Sequence, residues 1–359
     1  MANRGSILLL VLLGVSIISA PGTRRVNAEV YNAVILHPTD SDSSTAFGVS
    51  LGFQVGESNN HATLWQGTAE SAVDLNPEVS TWSRAWDVWN EYQVGVMGGW
   101  DHVYDAVMWS GTAESYVNLT PDGCDGSDAR AIFGNYQAGH ALVNNSSHAL
   151  LWQGTSESAI DLHPSGFDNS EALDVYGSQQ VGFGYSSGPW WENGQALLWE
   201  GTAESMVNLH PTGFDVSFSH GTSGSHQVGY GSGDITGGSN HALLWSGSAE
   251  SVIDLNPSGF DGSEALKISG NYQVGIGRGS STDGWNHALL WSGSADNFVD
   301  LHSFLPDIYT SSYAYDIDSM GNIVGLACTL DAQYHAVLWT PEPATLILFA
   351  LGGLVLRKR

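Results

Sequence analysis

Basic residues are scarce in this chain, which has ten Lys and Arg against 37 Asp and Glu. Six of the ten bases lie in the first 25 or the last three residues, so residues 29–340 hold four bases, 36 acids and a net charge of −32. A surface this acidic repels the phosphates of nucleic acids and the headgroups of anionic lipids. The composition therefore argues against nucleic-acid binding and leaves cations or neutral molecules as ligands.

Charged residues of either sign make up only 13% of the chain, against about a quarter in typical domains. This low fraction argues against coiled coils, helical bundles and charged disordered tails. Glycine and tryptophan are abundant instead, with 44 and 14 residues among the 359. The composition therefore favours a turn-rich β protein that is long enough to bury a large core.

The N-terminus has the pattern of a secretory signal peptide. Arg4 precedes the apolar run Ile7 to Ile18, and small residues suitable for a signal peptidase follow at Val26 and Ala28. Cleavage after Ala20 is disfavoured because Pro21 would become the first mature residue. We therefore predict a signal peptide over residues 1–28, with an uncleaved membrane anchor as the alternative.

Between its ends the chain repeats one unit, marked by tryptophan at positions 65, 109, 152, 199, 245, 291 and 339. The spacing of 43 to 48 residues, with four short apolar runs in each unit, is typical of one β-propeller blade. In the fourth unit the predicted strands are Glu171 to Tyr176, Gln180 to Tyr185, Gln195 to Trp199 and Ser205 to Leu209. The sequence predicts an all-β, seven-bladed β-propeller over residues 29–340.

The phase of the repeat predicts how the ring closes. The segment from Ala33 to Pro38 resembles the fourth-strand segment from Ala72 to Pro77, and the last unit stops at Trp339, at the end of a third strand. We therefore predict that an N-terminal strand completes the last blade, because closure removes an open sheet edge. An open solenoid is the alternative.

Most repeated residues are interpreted as structural. The seven tryptophans should pack between blades. The histidine that begins most third strands is replaced by Asp105 and Gln195, which favours a buried hydrogen bond over metal ligation. Each first strand keeps a serine, and two residues later an alanine or Ser219. We expect these small residues to line a narrow central channel, with the hydroxyls bonding turn backbone groups; an ion site of seven serines is the alternative.

The sequence has no recognisable catalytic motif, and neither a cofactor nor a metal is predicted. The acidic segment from Asp122 to Asp128 lacks the ligand spacing of a calcium loop, so we interpret it as a solvated turn. Cys124 and Cys328 fall in distant blades and are not expected to form a disulfide.

Five of the seven tryptophans outside the repeated position are the candidate ligand-binding residues: Trp82, Trp100, Trp190, Trp191 and Trp285. Trp82 falls in a predicted blade-to-blade loop and the others in loops between second and third strands. Both kinds of loop emerge on the same face of a propeller, so the five should share it. Exposed tryptophans among polar residues often stack on sugar rings; the alternative is that each covers its own loop.

The C-terminus resembles the PEP-CTERM sorting tail. Pro341, Glu342 and Pro343 precede an uncharged run from Ala344 to Leu356, which the bases Arg357, Lys358 and Arg359 follow. At about 1.5 Å per residue the thirteen-residue run reaches only about 20 Å, shorter than a hydrocarbon core of about 30 Å. The resemblance implies processing of residues 341–359 by an exosortase after transient residence in the inner membrane. A hydrophobic C-terminal strand is the alternative.

The repeat resembles the HAF repeat of bacterial extracellular proteins. The His-Ala pair occurs at residues 61, 148, 241, 287 and 335, although the third position is Thr, Leu or Val instead of Phe. The two resemblances imply an exported protein at the cell surface, or outside the cell, of a Gram-negative-type bacterium. We therefore predict a non-enzymatic surface or matrix binding module whose ligand is a polysaccharide. The alternative is a secreted propeller enzyme that acts on glycans.

Overall fold

Each repeat unit forms a four-stranded antiparallel sheet in which consecutive strands are neighbours, and seven such sheets surround one axis. This arrangement comes from a computed structural model that describes residues 30–99, 104–186 and 188–342. The fold is the predicted seven-bladed β-propeller. The predicted signal peptide, Trp100 and the tail from Pro343 onward lie outside the described residues.

The strands follow the chain order, four to a blade. Blades one to three contain β2 (Ser44–Ser50), β3 (Phe53–Ser58), β4 (His61–Trp65), β5 (Val73–Asp74), β6 (Trp82–Trp89), β7 (Tyr92–Gly98), β8 (Tyr104–Trp109), β9 (Val117–Asn118), β10 (Gly126–Phe133), β11 (Tyr136–Val143), β12 (Ser146–Trp152) and β13 (Ile160–Asp161). Blades four to six contain β14 (Asn169–Tyr176), β15 (Gln179–Tyr185), β16 (Gln195–Trp199), β17 (Val207–Asn208), β18 (Val216–Thr222), β19 (Gln227–Ser232), β20 (His241–Trp245), β21 (Ile253–Asp254), β22 (Phe260–Ser269), β23 (Tyr272–Gly279), β24 (His287–Trp291) and β25 (Phe298–Asp300).

The seventh blade joins the two ends of the described chain. It contains β26 (Tyr309–Ile317), β27 (Ile323–Thr329), β28 (Tyr334–Pro341) and the N-terminal strand β1 (Tyr31–Ile35). The pairing of β1 with β28 runs from Tyr31 opposite Pro341 to Ile35 opposite Val337. The predicted closure is therefore confirmed, although the strand begins two residues earlier than the segment that predicted it.

Short helices occupy some of the connections. The 3-10 helices that lead from third to fourth strands are Ala69–Ser71, Ala113–Ser115, Ser156–Ser158, Ala203–Ser205 and Ala249–Ser251. Three more are Asp234–Thr236, Ser280–Thr282 and Leu301–Phe304, and the one four-residue α-helix of the described chain is Trp190–Asn193. The helices in the third-to-fourth connection explain why β17 has two residues instead of the predicted five.

The two faces of the ring carry different connections. We define the loop face by the connections between blades and from second to third strands, such as the residues between β15 and β16. The turn face carries the tight turns from first to second strands, such as Leu51 and Gly52, and the connections from third to fourth strands. Because β28 ends and β1 begins at the turn face, both ends of the described chain lie there, where the Glu342 N–H donates to Val30 O at 2.8 Å.

The core consists of apolar layers between neighbouring blades. All seven repeated tryptophans have no solvent exposure. Trp109 of the second blade packs on Val55 and Leu64 of the first, and Trp199 of the fourth packs on Leu151 of the third. The predicted interblade packing is confirmed.

Deletion of residues 29–38 should open the seventh blade, because β28 would lose its outer partner and expose an unpaired edge. We expect aggregation, or a melting temperature at least about 5 °C lower, since roughly 1 kcal/mol shifts the midpoint of a large domain by about 2–4 °C. Calorimetry with light scattering measures both effects. The matched control is Asn32→Ser, at the exposed position of β1; equal melting of the deletion variant and this control would contradict the closure.

Candidate functional site

A ring of seven interblade hydrogen bonds fixes the first strands. The serine that begins each repeat accepts the backbone N–H of an alanine in the third strand of the preceding blade, at 2.9–3.1 Å. These serines are Ser44, Ser83, Ser127, Ser170, Ser217, Ser263 and Ser312. The expectation that the hydroxyls bond turn backbone groups was wrong. Each hydroxyl instead accepts a strand N–H from the neighbouring blade, as Ser83 does from Ala62, whose C=O bonds the Leu75 N–H of its own blade.

Other repeated polar residues hold each blade together. In four blades the third-strand histidine lies 2.7–2.9 Å from an aspartate thirteen residues later, His61 and Asp74 being one pair. Gln195 bonds Asn208 in the same place. The predicted hydrogen bond is therefore present, although His61 is partly exposed instead of buried. Within the described residues, no group of three or more His, Cys, Asp or Glu side chains could hold a metal ion.

Large side chains surround the central axis. A β-bulge follows the alanine position of each first strand, so the next residue departs from the two-residue alternation. The seven residues at this position are Phe47, Trp86, Arg130, Leu173, His220, Leu266 and Tyr315, all half-buried. The expectation that only small side chains fit the channel was wrong, because the repeated alanines are fully buried in the seams instead.

Aromatic rings and guanidinium groups contact one another on one side of this channel. The Phe47 ring lies 4.8 Å from Trp86 and 5.3 Å from Tyr315. Arg84 and Arg130 place their Cζ atoms 4.7 and 4.4 Å from the Trp86 ring. Cation–π attraction to the Trp86 ring therefore stabilises the positions of Arg84 and Arg130, two of the four basic residues in the propeller.

Lys267 directly follows the bulge residue of the sixth blade, and its side chain reaches across the central axis to carboxylates of other blades. Its Nζ lies 2.8 Å from Asp174 Oδ1 and 3.6 Å from Asp87 Oδ2. Burial alone would lower the pKa of Lys267, but Asp174, Asp87 and Asp316 outweigh it and hold that pKa well above the ordinary value. Burial raises the pKa of Asp316 to about 7. This cluster is a tightly packed part of the axis and holds the ring together.

Each of these aspartates also bonds the next blade. Asp316 accepts the Val49 N–H at 2.7 Å, and the other two carboxylates accept the N–H groups of Ile132 and Thr222. The following blade carries Gly48, Ala131 or Gly221 at the same position. A Cβ on Gly48 would lie 2.8 Å from the Asp87 backbone, so a small residue is required there.

The structure locates four of the five candidate tryptophans. Trp190 and Trp191 form the start of the helix between β15 and β16, and Trp285 lies between β23 and β24. All three lie at the loop face, and they are 41%, 60% and 49% exposed. Trp100 lies outside the described residues. The shared face is therefore observed for these three residues.

Trp82 differs from its predicted place. It is the first residue of β6 instead of a loop residue, and its ring lies against the backbone of Gly98, where a Cβ would approach the ring to 2.5 Å. Its half-buried ring therefore covers the end of its own blade. Trp190 also makes edge contacts with Phe218 and Trp191, at 5.4 and 5.6 Å, which leaves Trp191 and Trp285 as the most open rings.

A polar pocket of about 360 Å³ opens on the loop face, where the fifth and sixth blades meet. Its polar lining includes Asn240, Asp261, Glu264, Arg278 and Asn286. Asn240 Nδ2 donates to Glu264 Oε1 at 2.8 Å, and burial raises the pKa of Glu264. Asn286 immediately follows Trp285 in the chain. Sequence reasoning missed this pocket because Arg278 is unique to one blade, whereas Asp261 and the position shared by Asn240 and Asn286 recur in other blades and give no signal of a site.

Two further predictions concern the sulfur atoms and the membrane. Cys124 and Cys328 are both free thiols. Within residues 30–99, 104–186 and 188–342 no helix is long and apolar enough to cross a membrane. The apolar run from Ala344 lies outside those residues.

Replacing Lys267 with Met should destabilise the ring by about 3–5 kcal/mol, because it leaves buried carboxylates without their cation. The loss should be larger at pH 8 than at pH 5. Carboxyl groups with a raised folded pKa favour the folded state most when protonated, so stability falls as pH rises from about 4 toward the folded pKa, about 7 for Asp316.

Urea unfolding of the full-length protein at both pH values measures this effect. Adding Asp174→Asn to Lys267→Met removes one unpaired charge, and it should recover part of the stability at pH 8. Equal losses at the two pH values, with no recovery in the double variant, would show that the cluster is not electrostatically coupled.

No protein-family model and no curated protein matches the chain. Solved propellers do resemble it. The β-propeller domain of the Trilobed protease from Pyrococcus furiosus has a TM-score of 0.53 at 11% identity, over 85% of this chain and 95% of that one. That domain is described as having an open velcro topology, whereas β1 closes the ring here.

Two enzymes contain a similar propeller. Puromycin hydrolase has a TM-score of 0.57 at 12% identity, over 86% of this chain and 55% of that one. Pyrococcus horikoshii acylaminoacyl peptidase has a TM-score of 0.50 at 8% identity, over 84% and 51%. The chain thus spans about half the length of these two enzymes, and at such identities the likeness shows the fold alone, that of a β-propeller.

Proposed function

We propose that this protein is an exported surface or matrix propeller that acts as a non-enzymatic binding module, with the loop face as its ligand surface and a glycan as its ligand. One observation carries the proposal: Trp190, Trp191 and Trp285 are 41–60% exposed on one face. Exposed apolar rings that share one face and are surrounded by polar residues often mark a binding surface. A sugar ring offers the apolar face and the hydroxyl groups that such a surface binds.

Charge supports a neutral ligand. The propeller carries a net charge of −32 over residues 29–340, and like charges at contact cost more than stacked rings return. Neutral glycans should therefore bind directly, whereas acidic glycans would need bridging cations such as Ca²⁺ or Mg²⁺.

The positions of the chain ends support a role at a surface. Tyr31 and Pro341 pair at the turn face, opposite the exposed tryptophans. A tail that holds the protein in a membrane from Pro343 onward would therefore leave the loop face pointing away from that membrane. In this proposal the chain is exported through its signal peptide, and an exosortase then recognises the Pro-Glu-Pro tail.

The double variant Trp190→Ala and Trp191→Ala should bind neutral polysaccharide about 5- to 150-fold more weakly, since each aromatic contact contributes about 0.5–1.5 kcal/mol. Retention of the full-length protein on a polysaccharide column measures this. The melting temperature should fall only slightly, because Trp191 is 60% exposed and Trp190 contacts the buried Phe218 only through a ring edge.

Tyr92→Ala is the matched control, because Tyr92 is 40% exposed on the turn face. Equal retention of the double variant and this control would contradict the proposal. The single variant Trp191→Ala removes the most exposed ring, so a large fall in melting temperature for that variant would show that the ring serves the fold.

Sorting is tested at Glu342 and Pro343. Pro341 is buried at the end of β28 and is therefore left unchanged. Replacing the other two residues with Ala should keep the protein at full length in the membrane fraction, because the exosortase would no longer recognise the tail. Fractionation and intact-mass measurement in the native host check this outcome. Normal release of the variant would show that this motif is not a sorting signal.

A glycan-cleaving enzyme is the second candidate. Asp261 and Glu264 both line the polar pocket on the loop face. Burial raises the pKa of Glu264, a property that suits a general acid. The two functions differ in turnover: a binder retains polysaccharide unchanged, whereas an enzyme releases reducing ends or unsaturated products. A reducing-end assay on a retained polysaccharide separates them.

A further inference from the structure

The seven repeats act as an internal comparison of the residues around the loop-face pocket. Positions that hold the fold keep their residue type in most blades, as the serine and tryptophan positions do. The position of Arg278, five residues after the glutamine of the second strand, carries a different residue in each blade: Asn59, Gly98, Leu142, Tyr185, Ser232, Arg278 and Cys328. The fold therefore does not require arginine there.

The charge of Arg278 is unusual for its surroundings. The other three bases of the propeller have carboxylate partners: Arg84 lies 2.7 Å from Glu57, Arg130 lies 3.0 Å from Asp128, and Lys267 lies 2.8 Å from Asp174. In the described part of the chain, the Arg278 side chain makes neither a close ion pair nor a hydrogen bond, and its charge opposes only in part the rise that burial causes in the pKa of the Glu264 carboxyl. The residue, whose guanidinium group has five N–H donors, lines the polar pocket instead.

The rest of the pocket supplies complementary groups. Asp261 and Glu264 contribute carboxylate oxygens, which accept hydrogen bonds, and the amides of Asn240 and Asn286 both donate and accept. Asn286 Nδ2 is oriented by a 2.7 Å bond to Tyr313 Oη. A ligand that satisfies this set must carry several donors and acceptors close together, as vicinal hydroxyl groups do.

Charge and size narrow the ligand further. Two carboxylates against one guanidinium disfavour a phosphate or a uronate in the pocket. The volume of about 360 Å³ lies at the lower end of the range of about 300–1,000 Å³ for ligand sites. The pocket therefore suits a small, neutral, polyhydroxylated group.

We propose that the pocket between Arg278, Glu264 and Asn286 binds a neutral sugar residue of the glycan chain, with Arg278 donating to its hydroxyl and ring oxygens. This inference rests on the glycan-binding function proposed above, and it places the recognition of sugar identity in the sixth blade. The exposed tryptophans would then contact neighbouring sugars of the same chain.

Calorimetric titration of the full-length protein tests the inference. The probes are neutral oligosaccharides of hexose and N-acetylhexosamine units and a uronate oligosaccharide of the same length. Arg278→Gln and Glu264→Gln should each weaken binding of the preferred neutral probe at least tenfold. Glutamine at 264 can still accept from Asn240, so the fold should be kept. Asn135→Ala, in a second pocket of about 280 Å³ on the turn face, is the matched control.

Three results would overturn the inference. The pocket is not the site if wild type binds a neutral probe and both pocket variants bind it equally well, although the broader glycan-binding function would stand. Tighter binding of the uronate probe in wild type, lost in Arg278→Gln, would assign the pocket to an acidic sugar. If wild-type protein binds none of the probes and is not retained by polysaccharide, both this inference and the proposed function fail.

Discussion

The ring depends on the hydrogen bond between the serine of one blade and the third strand of the blade before it. In the third strand the repeated alanine bonds its own blade through its C=O, as Ala62 does with the Leu75 N–H, whereas its N–H finds its acceptor in the next blade. A buried N–H without an acceptor would cost about 1–3 kcal/mol. The serine of the next blade supplies that acceptor in all seven seams, so the same bond joins every pair of neighbouring blades, including the last to the first.

Because the seams use fixed positions, the remaining positions of the inner strands are free to differ between blades. The residues that differ most surround the axis and the loop face, where Trp86, Lys267 and Arg278 each occur once. The seventh blade also differs from the others at a position outside the seams. In the other blades a glutamine of the second strand accepts the N–H of a glycine in the turn after the third strand, as Gln54 does from Gly67 at 2.7 Å. The seventh blade has no such glutamine, because β28 is not followed by that turn and pairs with β1 instead.

The sequence alone predicts the blade count, the closing strand and the buried tryptophans, since all three follow from a period and its phase. The channel could not be predicted in the same way. The bulge adds one residue to each first strand, so strict alternation assigns Phe47 and Trp86 to the wrong side. The partner of each serine lies in another repeat, about 21 residues away or, for Ser44, at Ala336, and periodicity does not reveal contacts between units. Trp82 was misplaced because β6 begins at that residue.

The distribution of charge separates structural cations from a functional one. In a ring with a net charge of −32 over residues 29–340, a cation stabilises most where the inner strands converge and solvent screens least. Arg84, Arg130 and Lys267 lie there, and each has a carboxylate partner from its own or another blade. Arg278 lies at the exposed end of a second strand, where water screens its attraction to the ring and where other blades carry Ser or Leu. Its contribution to folding is therefore small, and its place in the pocket is better explained by what the loop face binds than by what holds the blades together.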